Sequence, residues 1–225
     1  MDQPLQKMSA FFNERAPIYD EVHVGHVGGG LESKHVIASF LPAHTETLLD
    51  LGIGTGLELE GIFGRFPDIE ITGLDIAEDM LQLLRGKYPG KHIELHCASY
   101  FDFDLGRSLY DVALAVMTLH HYDHETKTAL YRRIHDCIRP GGVYIECDFM
   151  LSEDEYGDAQ ATEDLNFSEF ARLKKEQGLT DGIEYHYDTP CTVPNQKQML
   201  SAAGFVNVEE VWRKGNTVIL VAGKT

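Results

Sequence analysis

Residues 47–62, TLLDLGIGTGLELEGI, limit this chain more than any other stretch. The run opens as a strand: Leu48 and Leu49 are apolar just ahead of glycines, the pattern of a strand buried on both faces. The chain then turns through Gly52, Gly54 and Gly56, and Leu57, Leu59, Ile62 and Phe63 carry a helical pattern onward. Strand, glycine loop and helix predict the first unit of a doubly wound α/β fold. Glycine suits such a turn because, lacking Cβ, it lets the backbone bend sharply and approach a ligand closely. The first amides of the helix add unpaired donors at the same place.

The spacing narrows the ligand. A loop built for a pyrophosphate reads G-x-G-x-x-G, whereas here Leu57 stands where the third glycine would be. Asp50, just before the loop, reads as an anion that repels a pyrophosphate and welcomes a cation. Asp75 closes the next strand, ITGLD, where it can accept hydrogen bonds from both hydroxyls of a ribose. A nucleoside carrying positive charge fits this order of acid, glycine loop and acid; a glycine-rich turn in another doubly wound domain is the alternative. The sequence resembles the class I S-adenosylmethionine-dependent methyltransferases, whose first motif is D-x-G-x-G-x-G with a ribose-binding acid one strand later. Asp50, Gly52, Gly54, Gly56 and Asp75 match it position by position. The resemblance implies an α/β, Rossmann-like doubly wound sheet of seven strands, mostly parallel with the last antiparallel. It also implies S-adenosyl-L-methionine as cofactor, with Ile76 and Met80 lining its site after Asp75.

The formal charge is −17, from 19 basic and 36 acidic residues. Such a field repels polynucleotides and anionic membrane, so no nucleic acid and no membrane is expected as partner; the resemblance implies a small-molecule acceptor. A homodimer stays open. Cys97, Cys137, Cys147 and Cys191 are scattered singly without metal-ligand spacing, and buried reduced thiols are expected. The first residues lack a basic stretch followed by an apolar core, and no apolar run reaches membrane-spanning length. A cytoplasmic protein is the expectation.

One domain is expected over residues 1–225, with an N-terminal lid at 1–46 and a cap inserted at about 150–195. In the lid, FFNERAPIYDEV predicts a short helix ending before Pro17. It is similar to the F-x-x-R-A-x-x-Y-D entry segment of small-molecule methyltransferases through Phe12, Arg15, Ala16, Tyr19 and Asp20. That similarity implies that Tyr19 meets the cofactor and Arg15 the substrate; a surface helix packed by Phe11 and Phe12 is the alternative. Gly28, Gly29 and Gly30 suit a hinge, and His23 and His26 read as loop histidines in preference to metal ligands. Helix, strand and helix follow in turn, with strands expected at 69–75, 93–97 and 110–116 and a fifth at 143–149 after a turn at 138–142. Residues 152–166 read as irregular and 167–179 as a helix. Gly215 and Asn216 make the last hairpin.

Aligned on the family pattern, Ser99 takes the place of an adenine-binding Asp, with the backbone of Ser99 and Tyr100 as the other means of contact. The fourth strand presents Met117, Thr118, Leu119, His120 and His121 at its carboxyl end, where ligands of such sheets lie. Met117 is expected against the cofactor. Methyl transfer from a sulfonium needs positioning, a dry pocket and, for a hydroxyl or ammonium acceptor, a base. His120 and His121 are the candidate bases because imidazole titrates near neutrality; shaping the pocket wall is their alternative role. Joining His124 to them as a metal set lacks placed acids, and no metal is expected. Glu146 and Asp148 share a strand face, and Asp148 is expected to hold the acceptor, with Tyr185 beside it. Three other readings are an enzyme making carboxy-S-adenosylmethionine, a nicotinamide oxidoreductase, and a non-catalytic cofactor-binding protein.

Overall fold

The computed structural model describes residues 4–26, 30–180 and 182–225, without the side chains of 23–26 and 30–31. The glycine hinge at 28 and 29 and the side chains of His23 and His26 lie outside the described residues. Seven strands form one sheet: β1 (Thr47–Leu51), β2 (Glu70–Asp75), β3 (Ile93–Cys97), β4 (Tyr110–Val116), β5 (Ile138–Phe149), β6 (Val206–Lys214) and β7 (Thr217–Gly223). Their order is β3-β2-β1-β4-β5-β7-β6. Only β7 runs antiparallel to its neighbours. The order reverses between β1 and β4, so a crevice opens at their carboxyl ends.

Alternation along the central strands builds a core on each face. Leu49, Leu51, Ala113 and Ala115 point to one side, where α6 (His124–Cys137) and α9 (Val193–Ala202) supply Leu130, Ile134 and Leu200. Leu48, Val112, Leu114 and Val116 point to the other. There they meet Ile37 of α3 (Gly30–Phe40), Ile62 of α4 (Leu59–Arg65) and Leu81 of α5 (Glu78–Lys87). Each such buried side chain is worth about 1.5–3 kcal/mol, which is why continuous apolar runs, not alternating ones, mark these strands.

Three expectations change. Residues 138–142 are not a turn ahead of β5 but part of it: Tyr110 pairs with Ile138 and Val112 with Val143, so the extra residues are taken up as an irregularity in the strand. Residues 152–166 are not irregular. They form α7 (Glu153–Tyr156) and the first half of α8 (Ala159–Glu176), where the Asp158 carboxylate caps the helix by accepting from the Ala161 amide at 2.8 Å. Cys97 is exposed, because β3 is an edge strand; the other three thiols are buried.

The N-terminal segment carries α1 (Met8–Arg15), a 3₁₀ turn (Ala16–Ile18) containing Pro17, and α2 (Tyr19–His26). Its start clasps the end of the cap. Lys7 bridges Tyr185 in antiparallel fashion, the Met8 amide donates to the Glu184 carbonyl, and the His186 amide to that of Gln6, both at 2.9 Å. Leu5 N–H donates to Gln177 Oε1 at 2.8 Å. Among the described residues no helix is long and apolar enough to cross a membrane.

Candidate functional site

The loop after β1 is tied to the end of β2. The Gly52 and Ile53 amides both donate to the Leu74 carbonyl, at 2.8 and 3.0 Å. The Gly54 amide donates to Asp75 Oδ2 and the Ala77 amide to Oδ1, each at 2.8 Å. Gly52 has φ +72°, and a Cβ there would collide with the Thr118 hydroxyl at the end of β4. Together these contacts wall a cavity of about 490 Å³, measured to its open mouth.

Of the expected cofactor residues, Tyr19, Gly52, Gly54, Asp75, Ile76, Met80, Ser99, Tyr100 and Met117 line this cavity. A Cβ on Gly54 would stand 3.9 Å from Asp75 Oδ2, in front of the carboxylate, so the cradle for a nucleoside depends on that position being bare. Burial pushes Asp75 up to about 6 despite its three backbone hydrogen bonds. Met117 sits at φ +52°, a strained value for a non-glycine residue, where the chain leaves β4. The Tyr19 hydroxyl is raised by burial and then by the charge of Asp75.

Asp50 and Gly56 do not line the cavity. Gly56 is a packing position: a Cβ there would press on Leu59 and Leu84. Asp50 is 1 % exposed, and neither carboxyl oxygen has a hydrogen-bond donor among the described residues. Burial, followed by the charges of Glu58 and Asp75, holds its pKa well above the carboxylate range. Its neighbour Glu58, also buried, is raised as well. Two carboxyls packed together out of water share a proton more readily than they carry two charges. The acid expected at the cavity lies behind the loop instead, where burial beside Glu58 disfavours its charge. Negative charge at the cavity comes instead from Asp75 and from Glu184, which accepts a short hydrogen bond from the Tyr122 hydroxyl.

Asp20 is an acid of the N-terminal segment. It accepts from Thr55 Oγ1 at 2.5 Å and pairs with Lys87, which also donates to the Thr55 carbonyl at 3.0 Å. The segment is thus latched to the glycine loop. Arg15 does not reach the cavity. Its guanidinium lies 3.5 Å above the Phe11 ring and donates to the Phe11 carbonyl, on the outer side of α1.

A second cavity lies under the cap, about 1600 Å³ to its mouth, and shares Ser99, Tyr122 and Glu184 with the first. His121 and Tyr185 line it with Phe101, Phe167 and Phe170. Tyr187 stacks on Phe170 at 5.2 Å, and Trp212 packs against the core. Asp148 does not face an acceptor. It is 2 % exposed, its Oδ1 lies 2.5 Å from His120 Nδ1, and its Oδ2 accepts from the Leu119 amide at 2.9 Å. It positions the loop after β4. Glu146, two residues earlier, is absorbed by the Tyr131, Tyr144 and Gln196 side chains.

The two histidines differ. Burial alone would pull His120 down, but the charge and hydrogen bond of Asp148 outweigh it and leave its pKa raised. His121 is lowered, by burial and then by the charge of His120. Its Nδ1 faces two acceptors, Asp188 Oδ1 at 3.1 Å and the Tyr187 carbonyl at 3.3 Å. Nδ1 therefore carries the proton, and Nε2 holds a lone pair with no hydrogen-bond partner among the described residues. Asp188 is held below the carboxylate range: burial opposes this, but the hydrogen bond from His121 and the charges of His120, His121 and His186 prevail. Glu184 and Asp188 escaped the sequence reading; their signal was two acids and a histidine alternating with two tyrosines in EYHYD.

Residues 48–142 match the family model described as a methyltransferase domain. The chain is 23 % identical to the carboxy-S-adenosyl-L-methionine synthase of Nautilia profundicola, over 99 % of this chain and 97 % of that one. It is 26 % identical to the enzyme of the same name from Wolinella succinogenes, over 99 % and 96 %. Among solved structures, Streptomyces venezuelae DesVI superposes with a TM-score of 0.66 at 19 % identity, over 94 % of this chain and 98 % of that one. Human N-acetylserotonin methyltransferase in complex with SAM gives 0.67 at 19 % identity, over 96 % of this chain and 56 % of that one.

Proposed function

We propose that this chain, whose residues 48–142 match a methyltransferase domain, is a class I S-adenosylmethionine-dependent methyltransferase that methylates a small-molecule acceptor held in the cavity under the cap, with His121 as the base. The observation that carries this is His121, which lines a cavity sharing Ser99, Tyr122 and Glu184 with the cofactor cavity and whose buried Nε2 has no hydrogen-bond partner among the described residues. The bound donor supplies an activated methyl group on a sulfonium. Asp75 holds the ribose, Glu184 and Asp75 favour positive charge nearby, and the aromatic walls exclude water. Asp188 fixes the His121 tautomer, and burial, then the charge of the neighbouring His120, favour the neutral form of His121. A hydroxyl or ammonium acceptor gives its proton to His121 Nε2 as its heteroatom takes the methyl carbon.

The full-length relatives favour a second reading, synthesis of a carboxylated donor. The lining is against it: among the described residues the cofactor cavity holds two acids, Asp75 and Glu184, and no lysine or arginine to meet a new carboxylate. Calorimetry with S-adenosylmethionine and S-adenosylhomocysteine, then mass spectrometry of turnover with phenol, amine and thiol acceptors, tests both. His121→Gln should lower turnover of a phenol or ammonium by about 10²–10⁴ while leaving S-adenosylhomocysteine affinity unchanged. Folded protein that binds neither nucleoside overturns the proposal, and a carboxylated nucleoside product selects the second reading.

A further inference from the structure

Behind the two cavities, three elements bring a different set of donors together. His124 opens α6, Glu163 lies in α8 and Cys191 stands two residues before α9. One imidazole nitrogen, one carboxylate oxygen and the thiol sulfur all lie within 4.8 Å of one another. Their distance apart in sequence explains why no metal-ligand spacing is visible there. We propose that His124 Nε2, Glu163 Oε1 and Cys191 Sγ form a structural site for one divalent zinc-like cation, completed by a solvent ligand, that pins the cap helix to the body of the protein.

The donor chemistry suits such an ion: imidazole, carboxylate and thiolate are the ligands of a borderline-soft cation that accepts four-coordination. Glu163 is fully buried, whereas the His124 side chain is 43 % exposed and gives a route of entry. The carboxylate is held from behind. The Thr192 amide donates to Oε2 at 2.6 Å, and Asn195 Nδ2 reaches Oε2 and Oε1 at 3.1 and 3.0 Å.

An ion pair between His124 and Glu163 alone would leave the sulfur and its neighbour unexplained. Lys127 is buried, and its ammonium donates to Cys191 Sγ at 3.2 Å and Gln196 Oε1 at 3.3 Å. A buried ammonium needs anions close by, and Glu146 and Asp148 act on Lys127 as well as the sulfur does. The sulfur lies within reach of both that ammonium and the other two donors. A bound divalent ion displaces the thiol proton to solvent, and the resulting thiolate then serves both the metal and Lys127. Each ligand comes from a different side of the cap's attachment, so loading should stiffen α8 against the loop that carries His120 and His121.

Cobalt(II) is the probe. The full chain, stripped with a chelator and titrated with Co²⁺, should saturate at one equivalent. It should show the strong d–d bands of low coordination and a near-ultraviolet thiolate-to-cobalt band. Cys191→Ser should abolish that band with the circular dichroism unchanged. His124→Gln alters a half-exposed side chain that the fold can spare, and should weaken Co²⁺ by at least about tenfold. A spectrum without the thiolate band, a band that survives Cys191→Ser, or affinity unmoved by His124→Gln overturns the proposal. Such results would place the metal on the exposed Cys97, on the His120, His121 and Asp188 cluster, or nowhere.

Discussion

Asp75 should make nucleoside binding depend on pH in a region where the nucleoside itself does not titrate. Its carboxyl rises from an ordinary 3.8 to about 6 because burial outweighs the hydrogen bonds from the loop. The folded, unliganded protein therefore holds this proton more tightly than the unfolded chain does. That contribution to stability, about 3 kcal/mol from two pKa units, is present below pH 3.8 and lost as pH rises through about 6. Binding has the opposite sign. Two ribose hydroxyls donate to the ionised carboxylate, so the ligand competes with the proton. The ionised fraction falls about tenfold between pH 7 and pH 5, and the Kd of S-adenosylhomocysteine should rise by about the same factor, roughly 1.4 kcal/mol. Calorimetry at the two pH values reads this directly. Asp75→Asn removes the titration: its affinity should be lower at pH 7 and flat with pH, and should approach the wild-type value below pH 5. A wild-type Kd unchanged over this range, in protein folded at both pH values, would refute the assignment of Asp75 as the ribose acceptor.

Two substitutions separate the parts of the glycine loop. Asp50→Asn mimics a protonated acid, so S-adenosylhomocysteine affinity should stay within about threefold and thermal stability should not fall; a tenfold loss of affinity by calorimetry would restore the anion. Gly52→Ala forces a side chain into Thr118 at a left-handed backbone position. It should cost about 1–3 kcal/mol of stability in urea melts and weaken the nucleoside, whereas normal stability would mean that the loop yields easily.

The parts of the fold that could be read from sequence are those whose physics is local. The apolar runs of β1, β2 and β4 and the loop between Gly52 and Gly56 announce a parallel sheet before any contact is known. Asp50 shows where that ends. Its protonation depends on Glu58, folded back against it by the loop, and on burial that no spacing reveals. Asp148 and His120 form a pair only because β5 and the exit of β4 end at the same level. Arg15 stacks on its own helix, a choice between two surfaces that its place in a motif does not settle. The start of α8 rests on the Asp158 cap, and the acidic run around it has too few apolar residues to show a period.

The clasp between the N-terminal segment and the end of the cap bears on how the site comes into being. Leu5 and Gln177 are 172 positions apart, and the segment pairing with residues 6–8 carries Glu184 and, just beyond, Asp188. Contacts so distant in sequence close late, because the intervening chain must order first. During synthesis the sheet from β1 to β5 can assemble while the roof of both cavities is still two loose ends, one of them not yet made. The acid at the mouth of the cofactor cavity and the partner of His121 thus arrive together, in one late step. An N-terminal extension that blocks residues 5–8 would leave a well-folded sheet around an unfinished pocket.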